Sequence, residues 1–440
     1  MTTIREAGPR AGTHSTAGAR AALCAGLAIN LAIGNLLVLT AAPAPNALLT
    51  LANLAGVNAA LLTMLQLVLV ARLPWLDRRI GMDRLTHWHR WSGFGLLWAV
   101  ITHAVLVVEG FATLGGTAAW QTFGALAGVP ASLLGILAGT LITAVAVTSL
   151  RRVRRRLPYE VWHGLHLLLY AALLLGLMHQ ALETTTMTTP GARAYWWTMW
   201  IAVGGSLLAG RVVLPLWRNA YHRFRVAAVV PESGEAVSVY VTGRRLDRYP
   251  ARAGQFAVWR FPDHQQWWTA NPFSFSLAPN GRYLRLTARA VGATSAGLRN
   301  LSTGSRVFVE GPYGAFTAAA KVRRDTLLVA GGIGITPILA LLEELEGSVV
   351  LLYRVRSAGE ASLLDEVGSV ARSRGAVLHV LAGPSVPRFS AVTLGSLVPD
   401  IAGRDVFVCG PPAMTSAVVR ALRDLAVPRS QVHWERFGLG

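Results

Sequence analysis

The chain has 440 residues, of which 53% are hydrophobic and only 14% are charged, and its mean hydropathy is +0.44. These values exclude a single small module, a disordered chain and a wholly soluble protein, and they predict membrane spans. The 41 basic and 22 acidic residues give a formal charge of +19. Lys321 is the only lysine, and the arginines cluster beside apolar runs, so we assign the charge to a membrane surface rather than to nucleic acid.

The two cysteines exclude a disulfide-stabilised protein, and the N-terminal segment predicts a first helix that is not cleaved. Cys24 lies in an apolar run and Cys409 far away in a stretch typical of a soluble domain, which excludes a disulfide framework. Residues 1–20 carry arginines ahead of an apolar run that resembles the core of a signal peptide. Because further spans follow, we predict a retained first helix, with 1–20 as a cytoplasmic N-terminal segment.

Six apolar segments, each near the roughly 20 residues that a bilayer requires, predict a transmembrane domain over 21–217. They lie at about 21–41, 48–72, 91–109, 130–150, 161–180 and 195–216. Arginine-rich connections at 71–90 and 151–156 alternate with nearly uncharged ones at 42–47, 110–129 and 183–194. Since positive loops stay inside, the pattern predicts a multi-pass protein of the plasma membrane with both termini in the cytoplasm.

The second half of the chain changes rhythm twice. From about residue 220, short alternating strands separated by turn residues predict an antiparallel β-barrel over 218–320. After Lys321, strands alternate with helices, which predicts a doubly wound α/β domain over 321–440. The predicted fold is therefore multi-domain: an all-α six-helix transmembrane bundle, then an antiparallel β-barrel and a doubly wound α/β domain.

Histidines within the apolar spans carry the first chemical signal. His89 and His103 are 14 residues apart at the third span, and His166 and His179 are 13 apart at the fifth. Each pair covers roughly 20 Å of helix, so two parallel spans can form two bis-histidine layers. Two opposed imidazoles suit a six-coordinate haem. At about 100° per residue, a spacing of 13 puts two ligands on different faces, so we expect the fifth span to be distorted or tilted.

Other readings of these histidines stay open. His87 competes with His89, and His163 competes with His166. Any one of them could instead hydrogen-bond between helices. Zinc would require carboxylate or sulfur ligands, which the spans almost lack, so haem is favoured.

The spans resemble the ferric reductase-like transmembrane domain shared by NADPH oxidases, ferric reductases and their bacterial relatives. The resemblance covers most of 50–217 and is carried by the histidine spacing and two short motifs, Asp83-Arg84-Leu85 and Tyr159-Glu160-Val161-Trp162-His163-Gly164-Leu165-His166. It implies that two b-type haems are bound by His89, His103, His166 and His179.

A second resemblance, to ferredoxin-NADP reductase-type domains, begins at Asn271-Pro272-Phe273-Ser274. It implies that the phenyl ring stacks on the isoalloxazine of FAD and that the serine hydroxyl reaches the ring edge. Asn271 replaces the usual basic residue, which weakens the expected phosphate contact. Arg289, Gly292 and Ser295 match the segment of that family in which a helix N-terminus holds the FAD pyrophosphate.

A glycine turn between a strand and a helix predicts a nucleotide site, because glycines let the backbone approach a pyrophosphate. Its residues are Gly331, Gly332, Gly334, Thr336 and Pro337. Arg354 and Arg356 follow the next strand, where a cation could meet a 2′-phosphate, so NADPH is favoured over NADH.

The end of the chain extends the resemblance to the nicotinamide domain of the same reductases. Cys409-Gly410-Pro411 matches the turn beside the nicotinamide, and Phe437 matches the C-terminal aromatic residue that lies against the flavin. The resemblance implies a catalytic placement for Cys409 and Phe437. A buried small apolar role for Cys409 stays open.

Taken together, the sequence predicts a lipid-embedded oxidoreductase that passes electrons from NADPH through FAD and two b-type haems to a small extracytoplasmic acceptor. Ferric iron and O2, which would give superoxide, are both open as acceptors, as are a quinone and an extracytoplasmic redox partner. A haem-binding membrane anchor or redox sensor is the alternative from another class. No motif suggests nucleic-acid binding.

Overall fold

The computed structural model describes residues 13–41, 43–183, 186–262, 271–290, 293–383 and 389–436. The chain forms two compact units. The first unit contains Arg20–Arg72 and Arg84–Ala209. The second unit contains Met1–Ala19, Leu73–Asp83 and Gly210–Gly440. The finer division into four segments stays a prediction.

The first half of the chain is helical. Its helices are α1 (Thr13–Leu39), α2 (Ala47–Val70), α3 (Pro74–Ile80), α4 (Met82–Gly115), α5 (Ala119–Ala127), α6 (Pro130–Ser149), α7 (Arg151–Arg154), α8 (Tyr159–Leu182), α9 (Pro190–Leu208) and α10 (Leu214–His222). Among the described residues, six helical segments are long and apolar enough to cross a membrane, which confirms the six predicted spans. The connection expected at 110–129 is largely helical, because α4 continues to Gly115 and α5 follows.

Polar side chains join the spans of the first unit. The amides of Asn35 in α1 and Asn58 in α2 bond each other at 3.1 and 2.9 Å. The indole N–H groups of Trp196 and Trp200 in α9 both donate to Oε1 of Gln180 in α8, at 3.1 Å each. Lipid tails are as apolar as the side chains between helices, so such bonds and close packing supply much of the association between spans.

Six strands of the second unit form two three-stranded antiparallel sheets. The strands are β1 (Arg225–Pro231), β2 (Ala236–Thr242), β3 (Phe256–Arg260), β4 (Asn271–Ser274), β5 (Leu284–Arg289) and β6 (Phe308–Tyr313), in the orders β1-β2-β5 and β4-β3-β6. Single-residue bridges, Arg225 to Arg306 and Phe275 to Leu286, join the sheets at their edges. Both sheets bury side chains in one core that includes Trp259. Closure into a barrel stays a prediction.

From Thr326 onward, the second unit forms an α/β module, as predicted. Its elements after the short α11 (Ala293–Gly297) are β7 (Thr326–Gly331), α12 (Ile335–Glu344), β8 (Val349–Val355), α13 (Leu364–Ser373), β9 (Val377–Ala382), α14 (Ala391–Leu397), β10 (Asp405–Gly410), α15 (Pro412–Asp424) and β11 (Val432–Arg436). The strands are parallel in the order β11-β10-β7-β8-β9. The order reverses between β7 and β10, and ligands bind open α/β sheets at the carboxyl ends of strands beside such a reversal.

A buried ion pair joins the antiparallel sheets to this module. The side chain of Arg285 in β5 is 2% exposed, and its Nη1 lies 2.8 Å from Glu366 of α13. The guanidinium also donates to Tyr240 Oη at 3.1 Å and to Ser276 Oγ at 3.0 Å. Burial by itself would lower the pKa of Arg285, but the bonds to Glu366 and Tyr240 raise it above its ordinary value. The pair therefore fixes how β5 meets α13.

Glu366→Gln should lower the thermal stability of the second unit, because it leaves a buried guanidinium without its counter-charge. A hydrogen bond to a charged group contributes about 1.5–3 kcal/mol, and the partial exposure of Glu366 places the expected loss near the lower figure. Tryptophan fluorescence during thermal unfolding of the full-length protein in detergent measures the change in Tm.

Glu360→Gln is the matched control. Glu360 pairs with Arg289 at 3.2 Å, and both side chains are about one third exposed, at 36% and 33%. Exposed pairs contribute about 1 kcal/mol or less, so the control should unfold close to wild type. Equal shifts in Tm for the two variants would contradict the stabilising role of Arg285.

Candidate functional site

In the first unit, α4 and α8 bring four histidines into two facing pairs. The ring centroids of His89 and His166 are 6.1 Å apart, and those of His103 and His179 are 6.3 Å apart. Two imidazoles that bind one metal ion from opposite sides have metal–nitrogen bonds of about 2 Å, with about 1 Å more to each ring centre, so their centroids lie about 6 Å apart. Both pairs therefore fit a metal ion held between two axial imidazoles, as in a six-coordinate haem.

One pair has a defined protonation state. Nδ1 of His103 lies 2.8 Å from the carbonyl oxygen of Ala52, and Nδ1 of His179 lies 2.8 Å from that of Ala131. A carbonyl oxygen only accepts, so each Nδ1 carries a proton, and in the neutral ring Nε2 then keeps its lone pair. Metal-ligating histidines commonly donate their second ring N–H in this way. These two rings are thus prepared to act as neutral ligands through Nε2.

The other pair has different surroundings. The buried Nδ1 atoms of His89 and His166 have no hydrogen-bond partner among the described residues. The indole of Trp162 stacks on His166, with centroids 5.1 Å apart. Gln66 Nε2 donates to the main-chain carbonyl of His89 at 2.9 Å, which braces the backbone and not the ring. Among the described residues, the two pairs therefore differ in whether Nδ1 has a hydrogen-bond partner.

The competing histidines lie elsewhere. His87 is exposed and meets Trp91 edge-on, with centroids 6.3 Å apart, and His163 is also exposed. The fifth span was expected to be distorted or tilted, and the distortion is not found, since α8 is α-helical from Tyr159 to Leu182 without a break. Both of its histidines nevertheless reach a partner ring on α4, at 6.1 and 6.3 Å between centroids.

The flavin motif forms β4 of the second unit. Ser274 is 2% exposed, and its Oγ has no hydrogen-bond partner among the residues that the structure describes. Trp259 Nε1 donates to the carbonyl of Phe273 at 3.0 Å, which fixes the strand. Pro272 is exposed and Asn271 is partly buried. A buried unpaired hydroxyl costs about 1–3 kcal/mol, so Ser274 is a candidate contact for a ligand that supplies the missing partner.

The second flavin segment is partly engaged in contacts within the protein. Arg289 donates to the carbonyl of Gly234 at 3.1 Å and to Glu360 at 3.2 Å. Ser295 lies in α11. Gly292 and Phe437 lie outside the described residues. An FAD phosphate would therefore share Arg289 with Glu360.

Two glycine turns that are far apart in sequence meet at the carboxyl ends of β7 and β10. A Cβ atom on Gly334 would lie 2.4 Å from the carbonyl oxygen of Cys409, and one on Gly410 would lie 3.1 Å from Cα of Gly331. Gly332 has a φ of +54°, which favours glycine. Side chains would separate the turns, so the glycines are required for this contact. The contact lies where the strand order reverses, which is the expected place for a nucleotide.

The end of β6 meets the same edge of the parallel sheet. Cys409 is fully buried and pairs in register with Ala330 of β7 and Glu435 of β11. A Cβ atom on Gly314, which follows β6, would lie 3.5 Å from Oε1 of Glu435. Gly314 N–H donates to Oδ2 of Asp77 at 2.8 Å. Sequence reasoning missed this last contact, for which the available signal was an acidic residue in an apolar, arginine-flanked turn.

The two arginines expected to meet a 2′-phosphate differ. Nη1 of Arg354 donates to the carbonyls of Leu381 at 3.0 Å and Gly383 at 2.7 Å. This guanidinium is therefore already engaged by carbonyl oxygens at the end of β9. Arg356 is exposed. Thr336, in the first turn of α12, donates through Oγ1 to the carbonyl of Ile333 at 3.0 Å, and Pro337 follows it. At this edge Arg356 is the better placed of the two cations to meet a phosphate.

Comparisons with known proteins match both halves of the predicted architecture. Residues 55–177 match the family described as "Ferric reductase like transmembrane component". The ferredoxin reductase component of 3-ketosteroid-9-alpha-monooxygenase from Mycolicibacterium smegmatis is 34% identical over 230 residues, which are 48% of this chain and 64% of that protein. The Bordetella pertussis flavohemoprotein is 26% identical over 254 residues, covering 50% and 62%.

Among solved structures, the flavohaem-like FAD/NAD binding domain of nitric oxide dioxygenase from Vibrio cholerae O1 biovar El Tor is 25% identical. The match covers 49% of this chain and 99% of that one, with a TM-score of 0.44. The chain spans less than two thirds of the length of the curated relatives above, at 64% and 62%.

Proposed function

We propose that this chain passes electrons from cytoplasmic NADPH or NADH through FAD and two b-type haems to a small extracytoplasmic acceptor. In this proposal, a ferric reductase-like transmembrane domain is joined to a ferredoxin reductase-like FAD/NAD-binding module. The coarse class is an electron-transfer oxidoreductase with membrane spans. The observation that carries the finer proposal is the pair of histidine separations, 6.1 and 6.3 Å, each of which suits one metal ion between two imidazoles.

The four histidines would hold the haems, whose iron supplies one-electron chemistry when bound. His89 and His166 would hold one and His103 and His179 the other, so each haem would be bound by two imidazoles of the protein. The neutral Nδ1–H tautomer of His103 and His179 leaves Nε2 to face the iron without loss of a proton. Ligand chemistry at iron is thereby disfavoured, and electron transfer is favoured.

In the second unit, the chain's own residues would orient the flavin and the nucleotide. FAD supplies the conversion of a hydride into single electrons. Ser274 offers an unsatisfied hydroxyl, and the meeting glycine turns offer backbone close to the reversal in strand order. We assign to FAD the residues Asn271, Pro272, Phe273, Ser274, Arg289, Gly292 and Ser295. We assign to NAD(P)H the residues Gly331, Gly332, Gly334, Thr336, Pro337, Arg354, Arg356, Gly410 and Pro411, with Cys409 and Phe437 at the nicotinamide and flavin rings.

The arginine distribution supports a plasma-membrane orientation with both termini in the cytoplasm, because loops rich in arginine stay inside. An electron that leaves an inside-negative cell gains about 2.3 kcal/mol per 100 mV of membrane potential. Outward transfer is therefore favoured by the orientation. The cytoplasmic side would hold the nicotinamide, and the outer side the acceptor.

The segments proposed to face outward support a small acceptor. Near the His103–His179 pair, the charged residues of these segments are Glu109, Glu183 and Arg193. Arg193 Nε donates to the carbonyl of Met187 at 2.9 Å, so its charge serves the loop. Such sparse charge suits O2 or ferric iron in a soluble complex better than docking of a charged protein.

His103→Ala should remove one of two haems and stop transfer to any outside acceptor, while NADPH still reduces FAD. The reason is that this ligand belongs to the outer haem of the proposed path. Haem content and flavin bleaching are measured on the same detergent-purified sample. His87→Ala is the control and should keep both haems. Normal outward transfer by His103→Ala would refute the ligand assignment.

Ser274→Ala should weaken FAD binding without loss of protein stability, since the hydroxyl has no partner within the protein. One hydrogen bond contributes about 0.5–1.5 kcal/mol, so the Kd for FAD should rise by roughly 2- to 13-fold. Flavin fluorescence measures Kd, and thermal unfolding measures stability.

Ser276→Ala is the contrasting variant. Its hydroxyl bonds Thr287 at 2.7 Å and Arg285 at 3.0 Å, so its loss should lower Tm. If Ser274→Ala instead lowers Tm and leaves the Kd for FAD unchanged, the hydroxyl supports the fold and not the cofactor.

A further inference from the structure

Each histidine of the His103–His179 pair packs against a glycine of a neighbouring helix. The ring of His103 lies against Gly56 of α2, and its Nδ1 bonds the carbonyl of Ala52, four residues earlier. The ring of His179 lies against Gly135 of α6, and its Nδ1 bonds the carbonyl of Ala131, again four residues earlier. The same Ala-x-x-x-Gly spacing thus receives a histidine on two different helices.

Helix geometry explains the spacing. The carbonyl of residue i already accepts the N–H of residue i+4, so a second donor must approach beside residue i+4. A Cβ atom on Gly56 would lie 2.9 Å from both Nδ1 and Cε1 of His103. A Cβ atom on Gly135 would lie 3.1 Å from Nδ1 of His179. Only glycine leaves full room for each imidazole to reach the second lone pair of the carbonyl.

A third instance shows the same geometry without a histidine ring. Gln66 Nε2 donates to the carbonyl of His89, and the residue four positions later is Gly93. A Cβ atom on Gly93 would lie 3.0 Å from that Nε2. In this bundle, a glycine at i+4 therefore opens a helical carbonyl to a side chain of a neighbouring helix. At His89 this braces the backbone, while Nδ1 of His89 and of His166 stay unpartnered among the described residues.

We propose that Gly56 and Gly135 are positioning residues that set the tautomer and the basicity of His103 and His179. The inference rests on the proposed function, since it concerns the haem that this pair would hold. A ring that donates Nδ1–H to a carbonyl is a more basic ligand, which favours ferric over ferrous iron. The haem of this pair consequently has a lower midpoint potential than the haem of the His89–His166 pair.

The test is a potentiometric titration of the full-length, detergent-purified protein, followed by its visible haem bands. Wild type should show two midpoints, which His89→Ala and His103→Ala assign to the two pairs, since each variant retains one haem. Gly56→Ala and Gly135→Ala should raise the lower midpoint and leave the higher one in place. Retention of that haem should weaken by about 10- to 100-fold, as expected for loss of an outer-shell bond to a metal ligand.

Gly139→Ala is the matched control for Gly135→Ala. It lies one turn further along α6, and its Cβ atom would meet Val100 at 3.4 Å, an ordinary contact. It should leave both midpoints unchanged. Gly135→Ala requires a shift of only a few tenths of an ångström, so it gives a reading even if Gly56→Ala folds poorly.

The outcomes separate this inference from the function on which it rests. Fewer than two bis-histidine haems in wild type would overturn the proposed function. Two haems with a single shared midpoint, or with midpoints that Gly135→Ala and Gly139→Ala move equally, would overturn the role of the glycines and leave the function standing. A rise of the lower midpoint only, in Gly135→Ala but not in Gly139→Ala, supports the inference.

Discussion

The arrangement of the first unit depends on two pairs of imidazoles that face each other between α4 and α8. Their ring centroids are 6.1 and 6.3 Å apart. Polar rings in an apolar span are costly unless their nitrogens have partners. Backbone carbonyls of α2 and α6 satisfy Nδ1 in one pair, which leaves Nε2 available. The glycines of α2 and α6 and the bonds from α9 to Gln180 hold the helices where these contacts form.

A different constraint organises the second unit, namely the contact of two glycine turns at the carboxyl edge of a parallel sheet. Gly334 packs on the carbonyl of Cys409, and the end of β11 brings Glu435 close to Gly314. Asp77 and the Arg285–Glu366 pair fix the antiparallel sheets and the α/β module around that edge. Strand β4 and the glycine turn after β7 therefore belong to one framework, which the proposed hydride transfer would require.

Sequence patterns predicted the parts that depend on local order. Hydropathy gave the six spans, and residue spacing gave the histidine pairs, because both follow from the rise of one helix. Contacts that arise only when elements meet were missed: the carbonyl partners of His103 and His179, the bond from Gly314 to Asp77, and the use of Arg354 at the end of β9. Of the distortion or tilt expected for the fifth span, the distortion is not found, because α8 is a continuous α-helix.

The central claim is a continuous electron path, and anaerobic visible spectroscopy of the detergent-purified protein tests it most directly. FAD and NADPH are added first, and air or a ferric chelate is then admitted in separate cuvettes. The account predicts reduced b-type haem bands, followed by reoxidation that is much faster with one of the two acceptors. A sample without haem bands, or with haem that NADPH cannot reduce, would contradict it and favour structural histidines or a redox sensor.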